Sequence, residues 1–236
     1  MRLLDLFCGR WGWSRAFAAR GWECVGVDLV EPPDPPGAPQ RFHFRLCDVL
    51  LLKAKPRHIW IPVYGWIRID ALASSSPCEG FSLFGMRHFH AEPPYPEAGI
   101  KLFNHARALA EAAGVPYIME NVRHAQDFVG RATDHCGPFY LWGSLVPPLL
   151  PQGIRKNMVM GNSKLVNELK RNGDREAVKK YRRQFDLTWN SSKSKERKEA
   201  TAKAATIPPE LANCVADYAE RILEQKVGAS EGKKSL

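Results

Sequence analysis

The run Leu3–Phe7 is apolar except for Asp5, stops at the glycine-bearing turn Gly9-Arg10-Trp11-Gly12-Trp13, and resumes as a helix-like stretch over Ser14–Arg20. A strand that feeds a glycine turn which opens a helix is the entry to a doubly wound α/β sheet. Glycine there lets backbone approach a nucleotide-like ligand at the carboxyl end of a parallel strand. A second strand is expected over Glu23–Asp28, and it ends on an acid. A carboxylate in that place can accept hydrogen bonds from both hydroxyls of a ribose. Asp48 can likewise accept from an adenine amine, and as an acid beside a loop it serves equally well as a helix cap.

Short apolar runs and helix-like stretches continue to alternate. Strands are expected at Arg45–Val49, Asp70–Ser75 and Val115–Glu120, with a helix over Gly99–Ala113 and a Pro-rich loop over Glu31–Pro39. This alternation predicts a Rossmann-like α/β fold with a mostly parallel sheet. A chain of 236 residues, 44% hydrophobic, suits one such domain with a small appendage. Residues 1–150 form the expected core. From 151 to 206 the composition turns polar and basic, with 15 Lys and Arg against 6 Asp and Glu, a net +9 that is the whole formal excess of the chain. Such a segment points to a phosphate-bearing partner rather than to solvated surface alone. A helix then follows from Pro208, with Leu211, Val215, Tyr218 and Ile222 at helical spacing, over residues 207–227; residues 228–236 are expected to be a frayed tail.

The six cysteines contain no Cys-x-x-Cys pair, so no metal site and no disulfide framework is indicated. The start, Met1-Arg2-Leu3-Leu4-Asp5, lacks the apolar stretch of a signal peptide or a membrane span, and a soluble cytoplasmic protein is expected.

Two segments carry chemistry. Ser75-Ser76-Pro77-Cys78-Glu79-Gly80 follows an apolar strand, which would set the Cys78 thiol at the carboxyl edge of the sheet. A lone cysteine is often only a small buried hydrophobe, but the flanking proline, glycine and serines favour an exposed turn near basic groups, where a thiolate is reactive. Met119-Glu120-Asn121-Val122-Arg123 closes another strand, and a carboxyl group set against an apolar strand can hold or deliver a proton near neutrality.

Taken in order, Asp5-Leu6-Phe7-Cys8-Gly9, Val27-Asp28, Asp48-Val49, Ser76-Pro77-Cys78, Glu120-Asn121-Val122 and Ile207-Pro208-Pro209-Glu210-Leu211-Ala212 resemble the cytosine-5 DNA methyltransferases, as a short, phage-type member with a compact recognition segment. The resemblance covers residues 1–145 and 205–225. It implies a class I methyltransferase fold with S-adenosylmethionine as cofactor, held around Phe7, Gly9, Gly12, Trp13, Asp28, Asp48 and Pro77. It implies Cys78 as the nucleophile on cytosine carbon 6 and Glu120 as the partner of ring nitrogen 3 and the exocyclic amine. In the family the base is flipped out of the duplex. The implied partner is DNA, bound by a monomer with no membrane. Arg155, Lys179, Lys180, Arg182 and Arg183 are the expected nucleic-acid contacts.

The chain departs from the family in three places. Trp11-Gly12-Trp13 replaces two adjacent glycines, and no convincing Gln-x-Arg-x-Arg motif is present, which leaves Arg123 or Arg155 for that role. Ala205 stands where the family carries Asn. With Lys203 two residues away and Arg10 in the first turn, that change leaves room for a transferred group larger than methyl, such as carboxymethyl, although methyl is the simpler expectation. A tRNA cytosine-5 methyltransferase and an inactive nucleic-acid-binding fold are the remaining alternatives. The last of these is disfavoured by the presence of Cys78, Glu120 and Asp28 together.

Overall fold

The computed structural model describes residues 1–32, 39–84, 96–154, 171–174, 176 and 206–232. The chain divides into two units, Met1–Ile154 with Ile207–Leu236, and Arg155–Thr206. The first is built on a seven-stranded sheet in the order β3-β2-β1-β7-β8-β10-β9. β1 (Arg2–Leu6), β2 (Glu23–Asp28), β3 (Phe42–Leu46), β7 (Ala71–Ser75) and β8 (Tyr117–Asn121) run parallel, whereas β10 (Phe139–Trp142) runs antiparallel to both β8 and β9 (Asp134–Cys136). Strands β1, β2, β7 and β8 are buried almost throughout, which is why they read in the sequence as mostly apolar runs with their polar residues chiefly at the ends.

Each face of the sheet has its own core. Leu4, Leu6, Val25, Val27, Leu72 and Met119 pack beneath α3 (Glu97–Ala113). That helix is alanine-rich, buries Phe103, Ala106, Ala110 and Ala113 at helical spacing, and stops at Gly114, whose φ of 63° ends the last turn in the left-handed region. Onto the same core β4 (Lys53–Lys55), β5 (His58–Ile61) and β6 (Gly65–Arg68) lay a three-stranded antiparallel sheet through Ile59, Ile61 and Ile67. The opposite face packs α1 (Ser14–Ala18) and α5 (Pro209–Gly232) over Leu3, Cys24, Ala73 and Ile118. Arg20 fastens α1 to α5 by hydrogen bonds to Asp217 and Asn213, and the Trp22 indole donates to Glu220 at 3.0 Å. Two further short helices, α2 (Glu79–Phe84) and α4 (Gln126–Val129), follow β7 and β8.

The expected strand Arg45–Val49 is corrected to Phe42–Leu46. Beyond Leu46 the chain leaves the sheet because Asp48 caps a 3-10 turn, Val49–Leu51, by accepting from the Leu50 N–H at 2.9 Å. The first helix is shorter than expected, ending at Ala18, and the long C-terminal helix runs on to Gly232. The remaining strand and helix edges fall within about two residues of expectation.

Trp11 has the left-handed backbone that favours glycine, with φ 61°. Its ring is buried across β2, edge-on to Phe42 at 5.2 Å and Phe44 at 6.4 Å. Burying an indole, about 150–250 Å², is worth about 4–6 kcal/mol at roughly 25 cal/mol per Å². That exceeds the about 1–3 kcal/mol of a strained φ, so the strain is tolerated. The space is supplied by Gly26, where an added Cβ would overlap the Trp11 ring and stand 2.8 Å from Cys8 Sγ. Gly26→Ala is therefore expected to cost about 1–3 kcal/mol by overpacking, read as a lower urea midpoint. An unchanged midpoint would mean that the indole can step aside.

Candidate active site at the carboxyl edge of the sheet

Four neighbouring parallel strands, β2, β1, β7 and β8, bring Asp28, the first turn, Cys78 and Glu120 toward one edge. At the end of β1 the chain turns through Phe7, whose N–H donates to the Val27 carbonyl at 2.8 Å, and Gly9, whose N–H donates to Asp28 Oδ2 at 3.0 Å. Phe7, with φ 58°, and Gly9, with φ 46°, both lie in the left-handed region, so the backbone reverses tightly there. Asp28 is half-buried at the end of β2, and its Oδ1 accepts from the Leu29 N–H at 2.7 Å and from Val30 at 3.4 Å. The acid thus ties the first turn to the second strand. Asp48, half-buried, is the cap described above.

Gly12 and Trp13 have visible packing duties. A Cβ on Gly12 would stand 3.0 Å from Ile207, the residue leading into α5. Trp13 is buried and its indole N–H donates to Ser75 Oγ at 3.0 Å, joining the first turn to the end of β7. Arg10 is half-buried in the turn.

After Ser75 come buried Ser76, exposed Pro77 and half-buried Cys78, immediately before α2. Ser75 lies in register with Glu120 on β8, and Glu120 is buried at 7% exposure. Cys78 and Glu120 therefore come from the adjacent ends of paired strands. Asn121, fully buried, holds the cysteine loop: its Nδ2 donates to the Ser76 carbonyl at 3.0 Å and to Ser76 Oγ at 3.1 Å, while its Oδ1 accepts from the Val122 N–H at 2.8 Å. Arg123 is exposed, at the start of the 3-10 turn Arg123–Ala125. The thiols of Cys8, Cys24, Cys47, Cys136 and Cys214 are all pushed up by burial, which keeps them protonated and unreactive at neutral pH.

Two residues with visible roles at this edge were not singled out by the sequence. Asn121 acts across a sequence distance that no local pattern reveals. Asp5 had a signal, an acid inside an apolar strand. It is buried, its Oδ2 accepts from Ser14 Oγ at 2.6 Å, and burial pushes its carboxyl up to about 7 against the lowering effect of the Ser14 hydrogen bonds, with the Asp28 charge raising it further. A raised acid favours the folded state while it is protonated, so its contribution is full below the unfolded value near 3.8 and is lost as pH rises to about 7. The lowered Glu23 and Asp70 act in the opposite sense, and only as pH falls below their ordinary values of 4.5 and 3.8. Asp5→Asn is therefore expected to flatten the fall in the urea midpoint between pH 4 and pH 7; an identical slope in wild type and variant would contradict the assignment.

Arg155, Lys179, Lys180, Arg182, Arg183, Lys203 and Ala205 lie outside the described residues. Among the described residues no group of three or more His, Cys, Asp or Glu is placed to hold a metal, and no helix is long and apolar enough to cross a membrane.

No family model and no curated protein matches the chain. Among solved structures it is similar to an E. coli prophage-encoded protein assigned as a DNA modification methyltransferase, at 20% identity and TM-score 0.36, over 53% of this chain and 33% of that one. It is similar also to the Burkholderia thailandensis 1,6-didemethyltoxoflavin-N1-methyltransferase, at 17% identity and TM-score 0.32, over 72% and 58%. A third is the glycopeptide N-methyltransferase MtfA, at 15% identity and TM-score 0.28, over 50% and 46%. The chain thus spans between a third and three fifths of these structures. At such identities the strand order itself defines the fold: parallel β3-β2-β1-β7-β8 closed by the antiparallel β10 and then β9, the Rossmann-like sheet of class I methyltransferases.

Proposed function

We propose that the chain transfers a methyl group from S-adenosylmethionine to carbon 5 of cytosine in DNA through a covalent Cys78 adduct. The observation that carries this reading is the succession of the first turn, Cys78 and Glu120 along the ends of β1, β7 and β8, with Trp13 and Asn121 bracing the cysteine loop from either side.

The first turn fits such a cofactor. A carboxylate offers about four lone-pair sites. Asp28 uses two on Oδ1 and one on Oδ2, so Oδ2 keeps a site for a ribose hydroxyl. Asp48 likewise has Oδ2 open toward an adenine amine while Oδ1 serves the cap. When bound, the sulfonium supplies an electrophilic methyl group and departs as the neutral thioether.

The protein's part is to make carbon 5 a nucleophile. The Cys78 thiolate forms a bond to carbon 6, and the ring electrons displaced by that addition pass toward nitrogen 3 and carbon 5. Glu120 hydrogen-bonds nitrogen 3 and the exocyclic amine, stabilises the electron-rich ring and selects cytosine. After transfer, carbon 5 loses its proton to solvent, the electron pair re-forms the ring double bond, and the Cys78 sulfur leaves. Of Arg123 and Arg155, the two arginines considered for a supporting role, Arg123 lies among the described residues, exposed three positions beyond Glu120.

Mass spectrometry of nucleosides from duplex DNA and from tRNA, each incubated with the protein and S-adenosylmethionine, tests the proposal. It predicts 5-methylcytosine in the DNA arm. Methylation confined to tRNA, or on any other atom, would overturn it, and a larger adduct with a carboxylated cofactor would widen it.

A further inference from the structure

The sheet β4–β6 has two unlike faces. Ala54, Ile59, Ile61 and Ile67 turn into the core, while the other side sets Lys53, Trp60 and Trp66 in one cross-strand row and Lys55, His58 and Arg68 in the next. Lys53 Nζ stands 5.3 Å over the Trp60 ring and Lys55 Nζ 4.3 Å over the Trp66 ring. At the hairpin tip Tyr64 is 48% exposed under the Arg45 guanidinium, 4.2 Å from the ring, which extends the face to the end of β3. Trp66 is 46% exposed. The three strands contain no acid. The nearest, Asp70, pairs with Arg57 at 2.6 Å and Arg68 at 3.5 Å, and no carboxylate among the described residues pairs with Lys53, Lys55 or Arg45.

Trp60 is half-buried, whereas an indole as exposed as that of Trp66 contributes little to folding, and apolar surface rimmed by charge marks an interaction site. Flat aromatic rings alternating with flexible cations suit a polyanion whose repeating unit also has a π-face. We propose that this face docks a single strand of DNA, with unpaired bases stacked on Trp60 and Trp66 and phosphates held by Lys53, Lys55 and Arg45 as the lysines swing off the rings. A duplex buries its base faces in its own stack and gains only the cationic part. The inference takes DNA as the polymer from the proposed function, but it concerns binding and not transfer.

The test is fluorescence anisotropy with the full chain, a labelled oligothymidine of about 15 nucleotides, and a duplex of equal length. Trp66→Ala is expected to weaken single-strand binding about tenfold, leave duplex binding unchanged and keep the wild-type urea midpoint, with Trp66→Phe retaining affinity. Lys53→Ala with Lys55→Ala is expected to lower the slope of log affinity against log salt by about one to two. The proposal is overturned if Trp66→Ala binds the single strand like wild type, if it loses both polymers alike, or if anionic vesicles and not the oligonucleotide are bound through Trp66. A chain that transfers no methyl group yet loses single-strand affinity in Trp66→Ala would refute the proposed function and leave this inference standing. Normal transfer with binding indifferent to Trp66 would do the reverse.

Discussion

Cys78→Ala is expected to lower methyl transfer to DNA by roughly 1,000-fold or more, the scale of losing a covalent nucleophile. Cofactor affinity and the urea midpoint should stay near wild type. Cys78 is half-buried at a loop that Asn121 and Ser76 hold from the backbone side, so removing the thiol leaves the loop's own fastenings in place. Serine is expected to fare almost as badly, because a hydroxyl is a far weaker nucleophile than a thiolate at neutral pH. Cys214→Ala, on α5, is the control and should keep full transfer. Incorporation of labelled methyl groups reads all three variants. Normal turnover by Cys78→Ala would end the covalent account.

Glu120→Gln is the second large effect. The amide preserves shape and hydrogen bonding at the buried end of β8 but can neither carry charge nor hold a proton on ring nitrogen 3. The loss should fall on kcat, by about 100-fold or more, as for general acid–base groups, with KM for DNA and cofactor affinity little changed. A change confined to KM would assign Glu120 to binding alone.

The entry of the fold was legible because it is local. Strand, glycine turn, helix and acid-ended second strand lie within Leu3–Asp28, and the physics that specifies them acts between near neighbours. The sheet β4–β6 was not legible. Its strands are three or four residues long, too short for a period of two to stand out, and only the burial of Ile59 and Ile61 against α3 and the main sheet makes them strands. The closing pair β9 and β10 escaped for the same reason. Phe139-Tyr140-Leu141-Trp142 is an apolar run whose direction is set by its pairing with Met119–Asn121.

At the candidate site the placement of Cys78 and Glu120 at the ends of strands was readable in the sequence, but their bracing was not. Asn121 reaches Ser76 across 45 positions and Trp13 reaches Ser75 across 62. Trp11 appeared in the sequence only as a departure from a glycine. Its compensation, the open side of Gly26 between Trp11 and Cys8, belongs to a different strand and emerges only once the sheet is assembled.

The central claim, that Cys78 bonds to cytosine, is tested most directly by DNA carrying 5-fluorocytosine in place of cytosine, incubated with the protein and S-adenosylmethionine. With fluorine on carbon 5 there is no proton to lose after transfer, so the ring double bond cannot re-form and the sulfur cannot leave. A stable protein–DNA adduct is predicted on a denaturing gel, mapped by peptide mass to Cys78 and absent from Cys78→Ala. Methyl transfer to ordinary cytosine with no trapped adduct on the fluorinated DNA, or an adduct on any other cysteine, would contradict the account.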